Sequence, residues 1–93
     1  MNASDAKLHR PARIINELGL HARSAAKIAE VAQKARHKVW VGTDIEEVDA
    51  ASIIDLLTLG CNQGTEIVIR IENAADRPIL NQIVDLVEAG FGE

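Results

Sequence analysis

The sequence predicts an α+β domain in which helices pack on one face of a β-sheet. Stretches of alternating apolar residues, typical of strands, are interspersed with stretches of 3.6-residue periodicity, typical of helices. Their order is strand, helix, strand, strand, helix, strand, helix. This order favours an antiparallel or mixed sheet with its helices on one side. The 93 residues suit one small domain with a modest core rather than a deep substrate cavity.

Composition narrows the classes of function. The net charge is −4 and no basic stripe is present, which argues against nucleic-acid binding. No apolar stretch approaches the roughly 20 residues that a membrane-spanning helix needs, so we expect no membrane insertion. Cys61 is the only cysteine, which fits a reducing compartment such as the cytoplasm. Residues 1–7 lack a signal-peptide core and are expected to be a flexible N-terminal tail before a single domain over residues 8–93.

The first strand is predicted over residues 8–15. Pro11 has no N–H to donate, so this strand should lie at an edge of the sheet or be irregular there. A loop over residues 16–20 follows, in which Gly19 can adopt backbone angles that other residues resist. The first helix should then run over residues 22–35 and bury a narrow, mostly alanine face. The members of that face are Ala25, Ile28, Ala29, Ala32 and Ala35.

Two further strands, over residues 37–43 and 46–50, should form a hairpin. Alternation predicts that its valines face the helices and that Trp40 lies on the opposite face of the sheet. A short helix over residues 53–59 follows. Ser52 is its predicted N-cap, in a capping-box pattern with Asp55.

The last strand is predicted over residues 66–72 and the last helix after Asp76. Asp76 is a suitable N-cap for that helix. Phe91 is expected to fold back over its far end. The strand should bury its three alternating isoleucines, Ile67, Ile69 and Ile71. The helix should bury a stripe made of Leu80, Ile83, Val84 and Val87.

Candidate chemistry lies where the first loop meets the first helix. His21 stands near the first backbone N–H groups of that helix, which favour an anion and a neutral imidazole. Arg23, two residues on, is a planar donor fork suited to phosphate oxygens. His21 could therefore accept a phosphoryl group. A capping histidine followed by a solvated arginine would show the same spacing.

The short helix carries more apolar residues than one buried stripe can use. Some of them should be exposed, and an exposed apolar patch suggests a docking surface. We predict that Ile53, Ile54 and Leu57 contribute to partner docking, together with Lys27. The alternative interpretation of Lys27 is a solvated surface charge.

Three motifs occur in a fixed order along the chain. They are Gly19-Leu20-His21-Ala22-Arg23, then Ser52, then Leu57-Thr58-Leu59-Gly60 followed by Gln63-Gly64-Thr65-Glu66-Ile67. Together they resemble the HPr family, the histidine phosphocarriers of the phosphoenolpyruvate-dependent phosphotransferase system. The resemblance covers nearly all of the chain from about residue 8. The segments Asn16-Glu17-Leu18-Gly19 and Ala89-Gly90-Phe91-Gly92-Glu93 also look like the nitrogen-branch paralogue, NPr, and the branch stays open.

The resemblance implies an open-faced sandwich of four antiparallel strands with three helices on one face, in the order βαββαβα. It implies a phosphocarrier that is not an enzyme and has no cofactor or metal. His21 would accept a phosphoryl group on Nδ1 from phosphorylated enzyme I and pass it to an enzyme IIA-type domain. Arg23 would steady the phosphoryl charge. Ser52 matches a regulatory serine that a kinase/phosphatase modifies in many bacteria.

Ser24 departs from the family pattern, in which a proline follows the arginine. Proline stiffens the first helical turn and lacks an N–H, whereas serine restores the N–H and adds a hydroxyl. The site geometry or the transfer rate can therefore differ. An alternative function is a regulatory binding protein of the same fold, which docks to enzymes or transcription regulators under phosphorylation control. Retention of both His21 and Arg23 favours the carrier, for which a monomer is expected.

Overall fold

The computed structural model describes residues 8–93, so the predicted tail over residues 1–7 lies outside the described residues. All seven predicted elements are found there in the predicted order. The strands are β1 (His9–Arg13), β2 (Val39–Gly42), β3 (Glu47–Asp49) and β4 (Glu66–Ile71). The α-helices are α1 (Ala22–Ala32), α2 (Ile53–Thr58) and α3 (Arg77–Glu88). Short 3₁₀ turns at Ala74–Asp76 and Gly90–Gly92 flank α3.

The four strands form one sheet in the order β1-β4-β2-β3. Every pairing is antiparallel, so the sheet that the resemblance implied is confirmed and the mixed alternative is wrong. β1 is an edge strand, as Pro11 predicted, and Pro11 lies opposite Val68 of β4. The three helices cover one face of this sheet, which makes the chain an α+β open-faced sandwich.

The core lies between the sheet and the helices, and the predicted stripes form it. Ile67, Ile69 and Ile71 of β4 are at most 1% exposed. The two β2 valines and the predicted stripe of α3 are buried with them. Phe91 is buried too, so its predicted return over the helix end is confirmed. Trp40 lies on the open face of the sheet and is partly shielded there.

Element ends were predicted less well than element types. The predicted ranges 8–15, 22–35, 37–43, 46–50, 53–59 and 66–72 are each one to three residues too long in total. The largest error at a single end is at α1, which ends at Ala32 rather than Ala35. There the N–H groups of Lys34 and Ala35 bond to carbonyls three residues back, at 3.0 and 3.1 Å, which tightens the chain out of the α-helix.

Asp76 does not cap α3 through its side chain, and this prediction was wrong. Its buried carboxylate instead accepts the backbone N–H groups of Arg36, at 2.8 Å, and His37, at 2.9 Å. Backbone N–H groups removed from water need acceptors, and no helical carbonyl reaches these two after α1 has ended. Asp76 therefore joins the loop after α1 to the start of α3.

Candidate functional site

The turn at Gly19 places His21 at the start of α1. Gly19 has φ +68°, and a Cβ there would lie 2.6 Å from the Cys61 carbonyl oxygen. The next residue, Leu20, donates its N–H to that same oxygen at 2.9 Å. Only glycine fits so close to the segment after α2 in this conformation. The contact fixes the direction in which the chain enters α1.

His21 is the N-cap residue of α1, with φ −121° and ψ −179°. Its carbonyl accepts the first helical hydrogen bond, from Ala25 at 2.8 Å. The N–H groups of Ala22 and Arg23, in the exposed part of the first turn, have no helical acceptor and remain available to an anion. The His21 side chain faces the Ser24 N–H, as in a capping box, but the geometry does not meet the criteria of a hydrogen bond.

Ser24, which replaces the family proline, is fully buried. Its Oγ accepts the His21 N–H at 2.9 Å, and its hydroxyl lies within 3.1 Å of the His21 carbonyl oxygen. These hydrogen bonds tie the first turn of α1 to its cap. Serine thus restrains the turn by hydrogen bonding, where proline would restrain it by its ring.

Arg23 is exposed in the first turn of α1, two residues after His21. Within residues 8–93 its guanidinium makes no ion pair and no hydrogen bond to a side chain. The geometry leaves this cation able to turn toward an anion that lies at the helix N-terminus.

Two residues that the sequence analysis did not assign complete the site. Glu93 Oε2 lies 2.5 Å from His21 Nε2, and Asn16 Nδ2 donates to Glu93 Oε1 at 3.0 Å. The hydrogen bond from Asn16, and then the one from His21, lowers the pKa of the Glu93 carboxyl below its ordinary value. Both residues belong to the segments that look like NPr. Nothing in the sequence indicated that those segments meet.

Lys27 makes a hydrogen bond within the chain. Its Nζ donates to the Phe91 carbonyl oxygen at 2.6 Å and is partly buried. The contact connects α1 to the turn that carries Glu93. A docking role for Lys27 stays a prediction.

The second predicted site lies at the start of α2. Ser52 is its N-cap, and the Oγ accepts the Asp55 N–H at 3.2 Å. The other half of the capping box is absent, because the Ser52 N–H donates to the Asp49 carbonyl, also at 3.2 Å. The exposed apolar patch is found: Ile53 and Leu57 are 39% exposed and Ile54 is 75% exposed. Its role in docking remains a prediction.

Within residues 8–93, no three His, Cys, Asp or Glu side chains are grouped so that they could bind a metal ion. None of the described helices is both long and apolar enough to cross a membrane. Cys61 is buried, and burial raises the pKa of its thiol.

Comparison with known proteins adds independent evidence. Residues 8–89 match the family described as PTS HPr component phosphorylation site. The phosphocarrier protein HPr of Pseudomonas aeruginosa is 40% identical over 81 residues, covering 86% of this chain and 90% of that protein. The phosphocarrier protein NPr of Shewanella violacea is 34% identical over 87 residues, covering 94% and 96%. The solved structure of HPr-C-His from Thermoanaerobacter tengcongensis is 35% identical with a TM-score of 0.85, covering 91% and 96%.

A small open-faced sandwich with a histidine at the N-terminus of its first helix defines a class of protein, the histidine phosphocarrier. The chain belongs to the HPr family of the phosphotransferase system, as the three motifs predicted. Members of this family carry a phosphoryl group between proteins and are not themselves enzymes. Relatives named HPr and a relative named NPr both match this chain.

Proposed function

We propose that His21 accepts a phosphoryl group on Nδ1 from phosphorylated enzyme I and passes it to an enzyme IIA-type domain in the cytoplasm. The observation that carries this proposal is the contact between His21 Nε2 and Glu93. An ionised carboxylate can only accept a hydrogen bond, so Nε2 is the nitrogen that carries the proton. In the neutral imidazole the lone pair is then on Nδ1.

In the transfer step, the Nδ1 lone pair forms an N–P bond while the bond between phosphorus and the donor breaks. The electron pair of the broken bond returns to the donor, and Nε2 keeps its proton. The second transfer repeats this exchange with His21 as the donor. Nucleophilic catalysis of this kind divides one transfer into two steps.

The phosphoryl oxygens would lie beside the first-turn N–H groups of α1 and within reach of Arg23. Helix N-termini and guanidinium groups both stabilise such charge. A small carrier needs little else, because positioning and charge stabilisation dominate phosphoryl transfer and the partner proteins supply the remainder.

The test uses purified protein, enzyme I, phosphoenolpyruvate and magnesium, with phosphorus NMR on the product. The expected result is an acid-labile phosphohistidine signal that His21→Ala abolishes. The other two histidines give matched controls, and His9→Ala and His37→Ala should both keep the signal. A signal in His21→Ala would overturn the site assignment. No signal from the unaltered protein with several enzyme I candidates would favour the regulatory binding protein instead.

The role of Arg23 has its own test. Arg23→Glu should slow phosphoryl acceptance by roughly tenfold, the scale of one lost charge-assisted hydrogen bond. Arg77→Glu makes the same change of charge at an exposed position of α3 and serves as the control. Equal rates in the two variants would remove Arg23 from the mechanism.

We also propose that Ser52 is a regulatory phosphorylation site for a kinase/phosphatase. A phosphate there would add negative charge beside the exposed side chains of Ile53, Ile54 and Leu57. Ser52→Asp should weaken enzyme I binding, whereas Ser52→Asn, which keeps an N-cap without adding charge, should not. Unchanged affinity of Ser52→Asp would leave Ser52 as a helix cap only.

A further inference from the structure

We infer that Asn16 and Glu93 form a positioning pair that keeps the proton of the neutral His21 ring on Nε2 and its lone pair on Nδ1. Neither side chain is assigned a contact with the phosphoryl group, and both act through His21. The inference deepens the proposed function. Only its kinetic consequence depends on phosphoryl transfer, since the location of a ring proton can be measured in the unphosphorylated protein.

The orientation of the Asn16 amide is determined by its neighbours. Nδ2 lies 2.7 Å from the Gly19 carbonyl oxygen and 3.0 Å from Glu93 Oε1, and both of these atoms are acceptors. A flipped amide would place Oδ1 against two acceptors. In the observed orientation Oδ1 is buried without a partner among the described residues, which costs about 1–3 kcal/mol. Asn16 therefore donates to two acceptors through Nδ2, and its Oδ1 is left without a hydrogen bond.

The Glu93 carboxylate connects the Asn16 amide to the His21 ring. With Oε1 bound to Asn16, Oε2 is directed at His21 Nε2. The lowered pKa of Glu93 keeps the carboxyl ionised at neutral pH, so it has no proton to donate to the ring. Nε2 must therefore be the donor, because the hydrogen bond at one ring nitrogen sets the tautomer of the other.

The turn Gly90–Gly92 holds Glu93 in place. Phe91 has φ 57°, a left-handed conformation that costs a non-glycine residue on the order of 1 kcal/mol. The buried Phe91 ring and the hydrogen bond from Lys27 to the Phe91 carbonyl offset this strain. The left-handed turn therefore costs stability but fixes the direction of the chain just before Glu93. This is expected where a side chain must be positioned.

The pair has a consequence for transfer. When Nδ1 forms its bond to phosphorus, the ring gains positive charge while Nε2 keeps its proton. The adjacent Glu93 carboxylate stabilises that charge. A carboxylate that holds a catalytic histidine in one tautomer acts in the same way in the serine hydrolases.

Glu93→Gln separates this inference from a merely structural role. Asn16 still presents a donor, so the glutamine should turn its oxygen toward Asn16 and its amide N–H toward His21. Nε2 must then accept, and the proton should move to Nδ1. Nitrogen-15 NMR of histidine-labelled protein, at a pH where the ring is neutral, should report Nε2–H in the unaltered protein and Nδ1–H in the variant. Phosphoryl acceptance should slow about tenfold or more, because Nδ1 no longer offers a lone pair.

Two further variants act as controls. In Asn16→Ala/Glu93→Gln the glutamine can turn either way, so both tautomers should be populated. Glu88→Gln, at an exposed glutamate of α3, should leave the ring unchanged. An Nε2–H ring in Glu93→Gln would overturn the inference, even if the protein accepts phosphoryl groups normally. A changed tautomer in a protein that accepts none would uphold the positioning pair and contradict the proposed function.

Discussion

The buried face of the sheet and the His21 site differ in how their side chains are held. Ile67, Ile69 and Ile71 are surrounded by other apolar side chains and make no directional contact. The His21 site depends on hydrogen bonds with defined donors and acceptors, and on left-handed residues at Gly19 and throughout the turn Gly90–Gly92. The first region is specified by periodicity and volume. The second is specified by individual atoms.

Stability and chemistry are therefore separable in this fold. Apolar burial is non-directional, so a lost methylene group costs free energy of folding wherever it lies. A typical hydrogen bond contributes only about 1 kcal/mol to stability, yet it can decide which ring nitrogen carries a proton. Core variants should therefore lower the free energy of unfolding without altering the folded site. Variants that change one hydrogen bond at the site should alter it with little loss of stability.

The largest expected effect is that of Ile69→Ala. Ile69 is fully buried in β4, between β1 and β2, so the cavity should lower the free energy of unfolding by about 2–5 kcal/mol. Urea denaturation measures this loss. Nitrogen-15 NMR below the transition should still report the unaltered His21 tautomer. Val68→Ala, on the opposite face of the same strand, is the control and should lose about 1 kcal/mol or less. Equal losses of unfolding free energy in Ile69→Ala and Val68→Ala would show that the two faces of β4 do not differ in their contribution to stability.

Asp76→Ala tests whether losing hydrogen bonds far from the site lowers the free energy of unfolding as much as losing apolar contacts in the core. It would leave the N–H groups of Arg36 and His37 without their acceptor. A lost partner for buried polar groups costs about 1–3 kcal/mol, and we expect about 3 kcal/mol for the two together. Asp76→Asn keeps one acceptor oxygen and should lose about half as much. Unchanged urea midpoints in both variants would show that water replaces the carboxylate.

The separation between the two regions also explains what the sequence could predict. Alternation and helical stripes identify the core because every residue of a stripe lies in one local element. His21, Arg23 and Ser24 could be found because they share one helical turn. The contact between Asn16 and Glu93 joins positions 77 apart, and no local pattern encodes it. Asp76 was misassigned because its position before a helix fits a cap just as well as the acceptor for a distant loop.

Gly19→Ala should have a smaller effect on stability and a larger one on the site. Gly60 provides a matched control, since it has φ +62° but no atom within 4 Å of an added Cβ. Gly60→Ala should therefore cost about 1 kcal/mol for the backbone conformation alone. Gly19→Ala adds the collision with Cys61 and should cost about 2 kcal/mol, with a displaced His21 and slower phosphoryl acceptance. Equal costs in thermal unfolding would mean that the loop relaxes around the methyl group.

The smallest expected effect lies on the open face of the sheet, where polar contacts are exposed. Arg70 donates to Glu47 through two nitrogens, at 2.9 and 2.8 Å, and lies 5.5 Å from the Trp40 ring centroid. The hydrogen bond from Arg70 lowers the pKa of Glu47 below its ordinary value. The folded protein therefore binds fewer protons than the unfolded chain in the acid range. The stability from this pair is present above the ordinary pKa of a glutamate and is lost as the pH falls through the lowered value.

Glu47→Gln should remove that part of the pH dependence and nothing else. Urea midpoints followed by Trp40 fluorescence, between about pH 7 and pH 3, should fall less steeply in Glu47→Gln than in the unaltered protein. The difference should stay below about 1 kcal/mol, because both side chains are well exposed to solvent. Glu46→Gln, at the exposed neighbouring glutamate, should keep the original dependence. A larger change in Glu47→Gln than in Gly19→Ala would mean that exposed ion pairs, and not only apolar burial, hold this sheet together.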